Sequence, residues 1–330
     1  MCLCETQIVA TKKLTSADGF VVIDLPDAPA AAGVVRCAPK ILVDGATWMA
    51  RSATYQFAFY GRKVSGASAA INAANDVKAE KVPLAMAEFA ESFPTLLLEP
   101  ARGITAKDLA PLNDSRGADY SETRLDNTAR GIVAAVAAVN GGLSGTKVAI
   151  EIFDPRSAKV ASLLHAGGAS IVAFGTSAGT RRDDGGIDMS SIEQEWKEKG
   201  ADCAAEAEPA SAVFSANCDV LLAGSKPGII DDSIVVNATF IVPNGVLPVT
   251  AKALAALERN GVKVLPDFVV LAGHLAAWPE NGSSTDAQTL VGDAVRSLLT
   301  QEKGPFFAAC EQAEDFLQSW SKIPFGRPIA

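Results

Sequence analysis

Histidine is nearly absent from this chain, with two residues in 330, so imidazole has little part to play as acid, base or metal ligand. Basic runs are missing too. The net charge is −9 and no Lys/Arg cluster forms a stripe, which argues against nucleic acid and anionic membrane surfaces as partners. No apolar stretch reaches membrane-spanning length, because charges or turn residues interrupt each one first. The opening MCLCETQIVATKK has no basic region followed by an apolar run and does not read as a signal peptide. Six cysteines lie scattered without the spacing of a small disulfide framework. That suits a reducing compartment, and the cytoplasm is the expected location. Cys2 and Cys4 form a C-x-C pair, but no nearby Cys or His completes a tetrahedral set, so they read as free thiols and no metal is expected. There is no internal repeat, and no low-complexity segment beyond alanine richness.

What is present is an ordinary globular composition, 48% hydrophobic and 20% charged, on a chain long enough for two domains with substantial cores. The run FVVIDL after Gly19 reads as a buried strand, and residues 41–60 carry apolar residues at helical spacing. Residues 76–93 read as a helix with Pro83 as an interior blemish. Residues 113–127 are polar and turn-rich and form the best linker. Thr128 to Asn140 is an alanine-rich helix stopped by Gly141 and Gly142. From Lys147 the pattern alternates again: VAIEIF, a helix over 158–165, then ASIVAF. A polar loop follows over 177–186 and a helix over 190–199. Short apolar runs at 220–222, 239–242 and 262–265 read as further parallel strands. The tail, 305–320, is amphipathic. The expected fold is α/β with two domains: an N-terminal α/β domain over 1–119, and a Rossmann-like, doubly wound parallel-sheet domain over 120–304. A C-terminal helical segment, 305–330, completes the chain.

Six segments carry a family resemblance. Residues 54–71, TYQFAFYGRKVSGASAAI, are similar to a T-Y/W-K-N-A…G-G-A/G-K-x-x-I segment. The run from Gly19 to Cys37 is similar to opening strands that end in a G-G-x-R or G-x-R turn. Ile104 to Leu109, ITAKDL, resembles an I-T-A-E-D-V box. Asn127 to Ile132, NTARGI, resembles A-T-G-R-G-V. Cys218 to Ile234 resembles C-D-I-x-x-P-x-A-x-x-x-x-I, and Val264 to Leu275 resembles V-x-P-D-x-x-x-N-A-G-G-V. Between them, Lys147 to Phe174 has the length and apolar pattern of a dinucleotide-binding βαβ unit. In this order they resemble the glutamate/leucine/phenylalanine/valine dehydrogenases, and most closely the leucine/phenylalanine branch.

The resemblance implies a C-terminal helix, 305–330, that returns to the first domain, and NAD(P)-dependent conversion of an amino acid to a 2-oxo acid and ammonia, and it also shows what has changed. The family's first lysine holds the substrate carboxylate and its second drives the chemistry; here those positions are Gln56 and Ser68. Gln56 carries no charge to assist carboxylate binding, and Ser68 is too short and too weakly basic to replace an activated lysine. Arg62 and Lys63 could supply a relocated cation, though a solvated turn is their commoner role. Asp108 matches the catalytic aspartate, but it also stands in a Thr-x-x-Asp capping pattern with Thr105, and the two readings weigh equally. His274 falls on the second glycine of N-A-G-G-V. Leu271 replaces that motif's asparagine, which contacts substrate in the family.

The cofactor turn has changed in the same way. A phosphate-binding turn needs glycines that let backbone amides approach the pyrophosphate at a helix N-terminus. The matching positions of G-x-G-x-V-G/A are Ile152, Asp154 and Ser157. Pro155 removes an amide donor, while Arg156 could hold a phosphate in a different geometry. The acidic residue that would hold the adenosine ribose is missing after the next strand. In its place Thr176 opens a segment ending in Arg181 and Arg182, which reads as a polar surface loop ahead of an NADP-type 2′-phosphate site. The expectation is a relative that no longer performs NAD(P)-dependent oxidative deamination and binds no nicotinamide. It would act as a binding, regulatory or assembly protein, or reuse its cleft for a small molecule. The alternatives are a divergent oxidoreductase using NAD or NADP, and an enzyme of different chemistry on a small carboxylate or amine. A homo-oligomer is expected, with an active paralogue as a further partner. Its residue-level support is the apolar strand FVVIDL, an edge that must be paired or covered.

Overall fold

The computed structural model describes residues 10–114, 122–204, 208–278, 286–324 and 326–330. Cys2 and Cys4, the expected domain boundary at 119–120 and part of the expected linker lie outside the described residues. The chain divides into two units, Met1–Ser121 with Cys310–Ile329, and Glu122–Ala309 with Ala330.

The first unit is built on β1 (Ala10–Lys13), β2 (Gly19–Ile23), β3 (Ala31–Ala38), α1 (Val43–Phe59), β4 (Ser65–Asn72), α2 (Lys78–Ser92), β5 (Leu96–Pro100) and α3 (Ala110–Asp114). Its sheet runs β1-β2-β4-β3-β5. β2 pairs antiparallel with β1 and β4, while β3 pairs parallel with β4 and β5. The FVVIDL strand is therefore internal, and the edge argument for an oligomer is corrected. Within one chain β1 covers β2, and the new edge exposes Lys12 and Lys13, a common guard against edge pairing. α2 buries Val82, Ala85, Met86 and Phe89 at one-face helical spacing against Val35, Ile71, Leu96 and Leu98. Pro83 is tolerated inside this helix because it faces solvent.

The other face of the sheet carries α1. The small residues Ala46, Ala50 and Ala58 with Thr54 recur every fourth position and let the helix approach β4 closely. A Cβ on Gly66 would lie 1.8 Å from the Ala50 carbonyl oxygen, so only glycine fits there. The Gly66 amide instead donates to Thr54 Oγ1 at 2.9 Å.

The second unit contains α4 (Glu122–Asn140), β6 (Lys147–Ile150), α5 (Pro155–Ala166), β7 (Ser170–Gly175), β8 (Thr180–Arg182), α6 (Met189–Lys199), β9 (Cys218–Ala223), β10 (Ala238–Pro243), α7 (Ala251–Arg259), β11 (Lys263–Val264), α8 (Asp267–Val270) and α9 (Ala287–Leu299). α10 (Pro305–Gln318) follows, and its residues from Cys310 onward belong to the first unit. The sheet order is β11-β10-β9-β6-β7-β8. All pairs are parallel except β7 with β8.

Two expectations are corrected here. The loop over 177–186 contains the antiparallel strand β8, whose polar sequence hides its pairing. The linker ends earlier than residue 127, because α4 already begins at Glu122; an Asp126–Arg130 ion pair at i,i+4 supports its polar first turns. Later helices start where side-chain caps stand in the sequence: Asp188 accepts from the Ser190 amide, Thr250 from Ala253, and Asp286 from Gln288 and Thr289.

Candidate functional site

The positions of the two family lysines both lie in the first unit. Gln56 is in the last turn of α1, 8% exposed, and its side-chain amide makes no hydrogen bond among the described residues. Ser68 is fully buried at the centre of β4, paired with Val22 of β2 and Val34 of β3. Its hydroxyl accepts from Arg36 Nη2 at 3.2 Å. The run from Gly19 to Cys37, similar to the family's opening strands that end in a turn, closes instead within the strand β3. Lys63 is exposed beyond the end of α1 and Arg62 is half-buried there.

Asp108 caps its own turn. Its Oδ2 accepts from the Thr105 amide and from Thr105 Oγ1, both at 2.8 Å, and the Asp108 amide donates back to Thr105 Oγ1 at 3.3 Å. The reciprocal bonds are those of a capping box. Asp108 faces Cys37, whose thiol is pushed above its ordinary range by burial, with Lys78 opposing and Asp108 adding to the rise.

In the second unit the turn after β6 is closed by its own side chains. Asp154 is the N-cap of α5 with Pro155 at the first helical position. Its Oδ1 accepts from the Ser157 amide at 2.8 Å, and its amide donates to Ser157 Oγ at 2.7 Å. Ser157 Oγ also donates to the Ile152 carbonyl at 2.8 Å. Phe153 is buried between Phe174 and Trp196, with ring centroids 5.0 and 5.2 Å away, and its amide donates to the Gly175 carbonyl. Arg156 lies half-buried on the first turn of α5 with no ion pair among the described residues. The sequence reading passed over Glu151. Its carboxylate is 8% exposed at the end of β6. It accepts from the Gly224 and Ser225 amides at 3.1 and 2.9 Å and from Ser225 Oγ at 2.7 Å. Glu151 thus sits between the carboxyl ends of β6 and β9, where the strand order reverses and doubly wound sheets take their ligands. A charged residue closing an apolar strand run was the signal available in the sequence.

The remaining positions are spoken for within the fold. Thr176 is 3% exposed. Its hydroxyl donates to the Ala201 carbonyl at 2.8 Å and accepts from the Ala178 amide at 3.1 Å. Arg181 pairs with Glu195 at 3.1 Å; Arg182 pairs with Glu208 at 3.6 Å and donates to the Ala212 carbonyl at 2.7 Å. Both guanidiniums are thereby held in the fold. His274 lies in a 3-10 turn over Leu271–Ala277 with Nδ1 3.0 Å from the Leu271 carbonyl. Gly273 beside it is dictated by packing, since a Cβ there would meet the Asn127 carbonyl oxygen of α4 at 2.1 Å. His274 belongs to the second unit, and Ser68 and Asp108 to the first.

A nicotinamide dinucleotide of the family kind does not fit the residues of the α5 turn. The Asp154 and Ser157 amides are taken by each other's side chains, and Pro155 has no amide to offer. The carboxylates of Asp154 and Glu151 add negative charge where phosphates would approach. Among the described residues no group of three or more His, Cys, Asp or Glu could hold a metal ion, and no helix is long and apolar enough to cross a membrane.

Comparison with known proteins agrees with the fold. The NADP-specific glutamate dehydrogenase A1 of Halobacterium salinarum is 24% identical over 54% of this chain and 54% of its own length. The chain thus spans about half the length of that curated relative. The hetero-hexameric glutamate dehydrogenase from Thermus thermophilus in its Leu-bound form superposes with a TM-score of 0.68 at 19% identity, covering 95% of this chain and 82% of that one. L-tryptophan dehydrogenase from Nostoc punctiforme gives 0.63 at 18% identity, covering 95% and 96%. At such identities the structures attest the fold. The family profile described as Glutamate/Leucine/Phenylalanine/Valine dehydrogenase matches residues 121–290, and the chain belongs to that family.

Proposed function

We propose that this protein keeps the amino-acid dehydrogenase scaffold but no longer carries out nicotinamide-dependent oxidative deamination, and that it acts as a binding, regulatory or assembly protein in the cytoplasm. The observation that carries this reading is the α5 N-terminus, where Asp154 and Ser157 bond each other's amides. A helix N-terminus attracts a diphosphate through free amides and a positive dipole end, and here a carboxylate of the chain has taken that place. Replacement of both family lysines by Gln56 and Ser68 points the same way, because neither supplies a tunable amine. Assembly with like subunits, or with an active relative, is supported by the hetero-hexameric architecture of the Thermus thermophilus enzyme. Light scattering gives the subunit number.

The direct test is calorimetric titration with NAD and NADP, together with an absorbance assay for reduced nicotinamide using leucine, phenylalanine, valine and glutamate. No saturable dinucleotide binding at micromolar concentration and no turnover is the expected result. Turnover at ordinary enzyme rates would overturn it. The divergent-oxidoreductase reading is favoured by one observation. Asn244, 4% exposed, directly follows β10 with its side-chain oxygen buried and unbonded among the described residues, so the ligand edge of the sheet retains an unspent acceptor.

A further inference from the structure

We propose that β1 and the turn after it form a guard strand that opens as one local unit, and that Glu88 of α2 is the latch that holds it shut. β1 stands at the edge of the first-unit sheet and, among the described residues, pairs with β2 alone, from Ala10 opposite Ile23 to Lys13 opposite Phe20. Thr11, Lys12 and Lys13 are exposed and Ala10 is half-buried, so the strand brings little apolar area to the core. β2 is the opposite case. It pairs on both sides, with β1 and β4, and its Phe20, Val21 and Val22 are buried. The core stays largely complete when β1 leaves. What β1 covers is the outer row of backbone groups on β2.

The turn over 14–18 is where the strand is fastened. The Leu14 amide donates to the Gly19 carbonyl at 2.9 Å, which closes the turn on itself. One carboxylate then ties the turn to α2. Glu88 Oε1 accepts from the Thr15 amide at 2.9 Å and from Thr15 Oγ1 at 3.1 Å. Its Oε2 accepts from the Ser16 amide at 2.8 Å and from Ser16 Oγ at 2.6 Å. Two amides and two hydroxyls of adjacent residues converge on a single carboxylate, and bonds to an ionised acceptor are the stronger kind. The same bonds hold the carboxyl well below its usual range, at about 2, so the latch is charged at neutral pH. The other ties are weaker. Ser16 Oγ also lies 3.2 Å from the Leu84 carbonyl. Lys12 Nζ stands 5.3 Å from the centre of the Phe93 ring, a cation–π contact at an exposed position. Leu14 and Ala17 are only partly buried against the core. Segments with few buried apolar contacts open at lower free energy than the domain as a whole. Opening here bares the apolar edge of β2, a template for strand pairing that folded proteins keep covered. Exposure of that edge is thus set by one side chain on a helix, distant from it in sequence.

The test is hydrogen exchange of the full chain at neutral pH, read by mass spectrometry, in wild type, Glu88→Gln, Glu88→Ala and Ser16→Ala. Glu88→Gln should speed exchange of the amides over 10–23 about tenfold, Glu88→Ala by more and Ser16→Ala by less, as expected for loss of charge-assisted bonds that hold a locally opening segment. Peptides from β3, β4, β5 and α1 should exchange as in wild type. Ser16→Ala leaves α2 untouched, so it carries the test if circular dichroism shows the Glu88 variants to be poorly folded. Exchange that rises by one common factor across the whole first unit overturns the guard strand, because Glu88 then supports the fold as a whole. Exchange over 10–23 that matches wild type in every folded variant overturns the latch.

Discussion

The stability of the first unit should depend heavily on one ion pair. Asp24 and Arg51 are 2% and 3% exposed. Arg51 Nε donates to Asp24 Oδ1 and Oδ2 at 2.9 and 2.8 Å, and Nη2 lies 2.8 Å from Oδ1. Nη1 donates to the Gly326 carbonyl at 2.6 Å. Changing Asp24→Asn preserves the shape but turns an amide donor toward the guanidinium and leaves its charge uncompensated. Opposite charges about 4 Å apart at an effective dielectric of about 20 interact by roughly 4 kcal/mol. Breaking a buried pair from one side costs about 3–5 kcal/mol. With a urea m-value of about 2.5 kcal/mol/M, the unfolding midpoint should fall by about 1–2 M. The double variant Asp24→Leu with Arg51→Met removes both charges together and should recover most of the loss, because the desolvation penalty disappears with the attraction. Urea titrations of wild type, both single variants and the double variant measure the coupling. A midpoint shift under about 0.3 M for Asp24→Asn, or a double variant no better than the worse single one, would refute the reasoning.

Other outcomes follow from the same geometry. Glu88 of α2 accepts from the Ser16 hydroxyl and amide and from the Thr15 amide and hydroxyl; these bonds lower its pKa from 4.5 to about 2. A depressed carboxylate pKa stabilises the fold above the unfolded value. That contribution should be lost as pH falls from 4.5 toward about 2, and the loss should be smaller in Glu88→Gln when unfolding is followed across that window. Gly273→Ala forces a Cβ against the Asn127 carbonyl oxygen at 2.1 Å, so α4 must move. We expect destabilisation of about 3 kcal/mol or more by denaturant titration, and a loss under about 1 kcal/mol would contradict the packing argument. Asp154→Ala removes the α5 cap and should cost about 0.5–2 kcal/mol. Dinucleotide binding should not appear, because Ile152, Pro155 and Glu151 remain; calorimetry with NADP checks this.

By itself the sequence determined the family, the α/β architecture and the alternation of elements in the second unit. These rest on local information: apolar periodicity at 2 and 3.6, the helix stop at Gly141 and Gly142, and polar, turn-rich stretches between the periodic segments. It also determined that lysines are missing at positions 56 and 68 and glycines at 152, 154 and 157, because substitution against a pattern needs no coordinates. Only the tertiary structure decided what the replacements do. Whether Asp154 closes its own helix or stands idle depends on a rotamer, and whether Arg181 and Arg182 wait for a phosphate depends on acids 14 and 26 positions further along the chain, Glu195 and Glu208. The strand β8 was invisible because its pairing with β7 comes from neighbours and not from its own polar residues. The covered edge at β2 and the Asp24–Arg51 pair join residues distant in sequence, and long-range pairing leaves no local period to read. That the Arg36 guanidinium reaches Ser68 is a fact of β3 lying beside β4, and the register of a sheet is set by the whole fold.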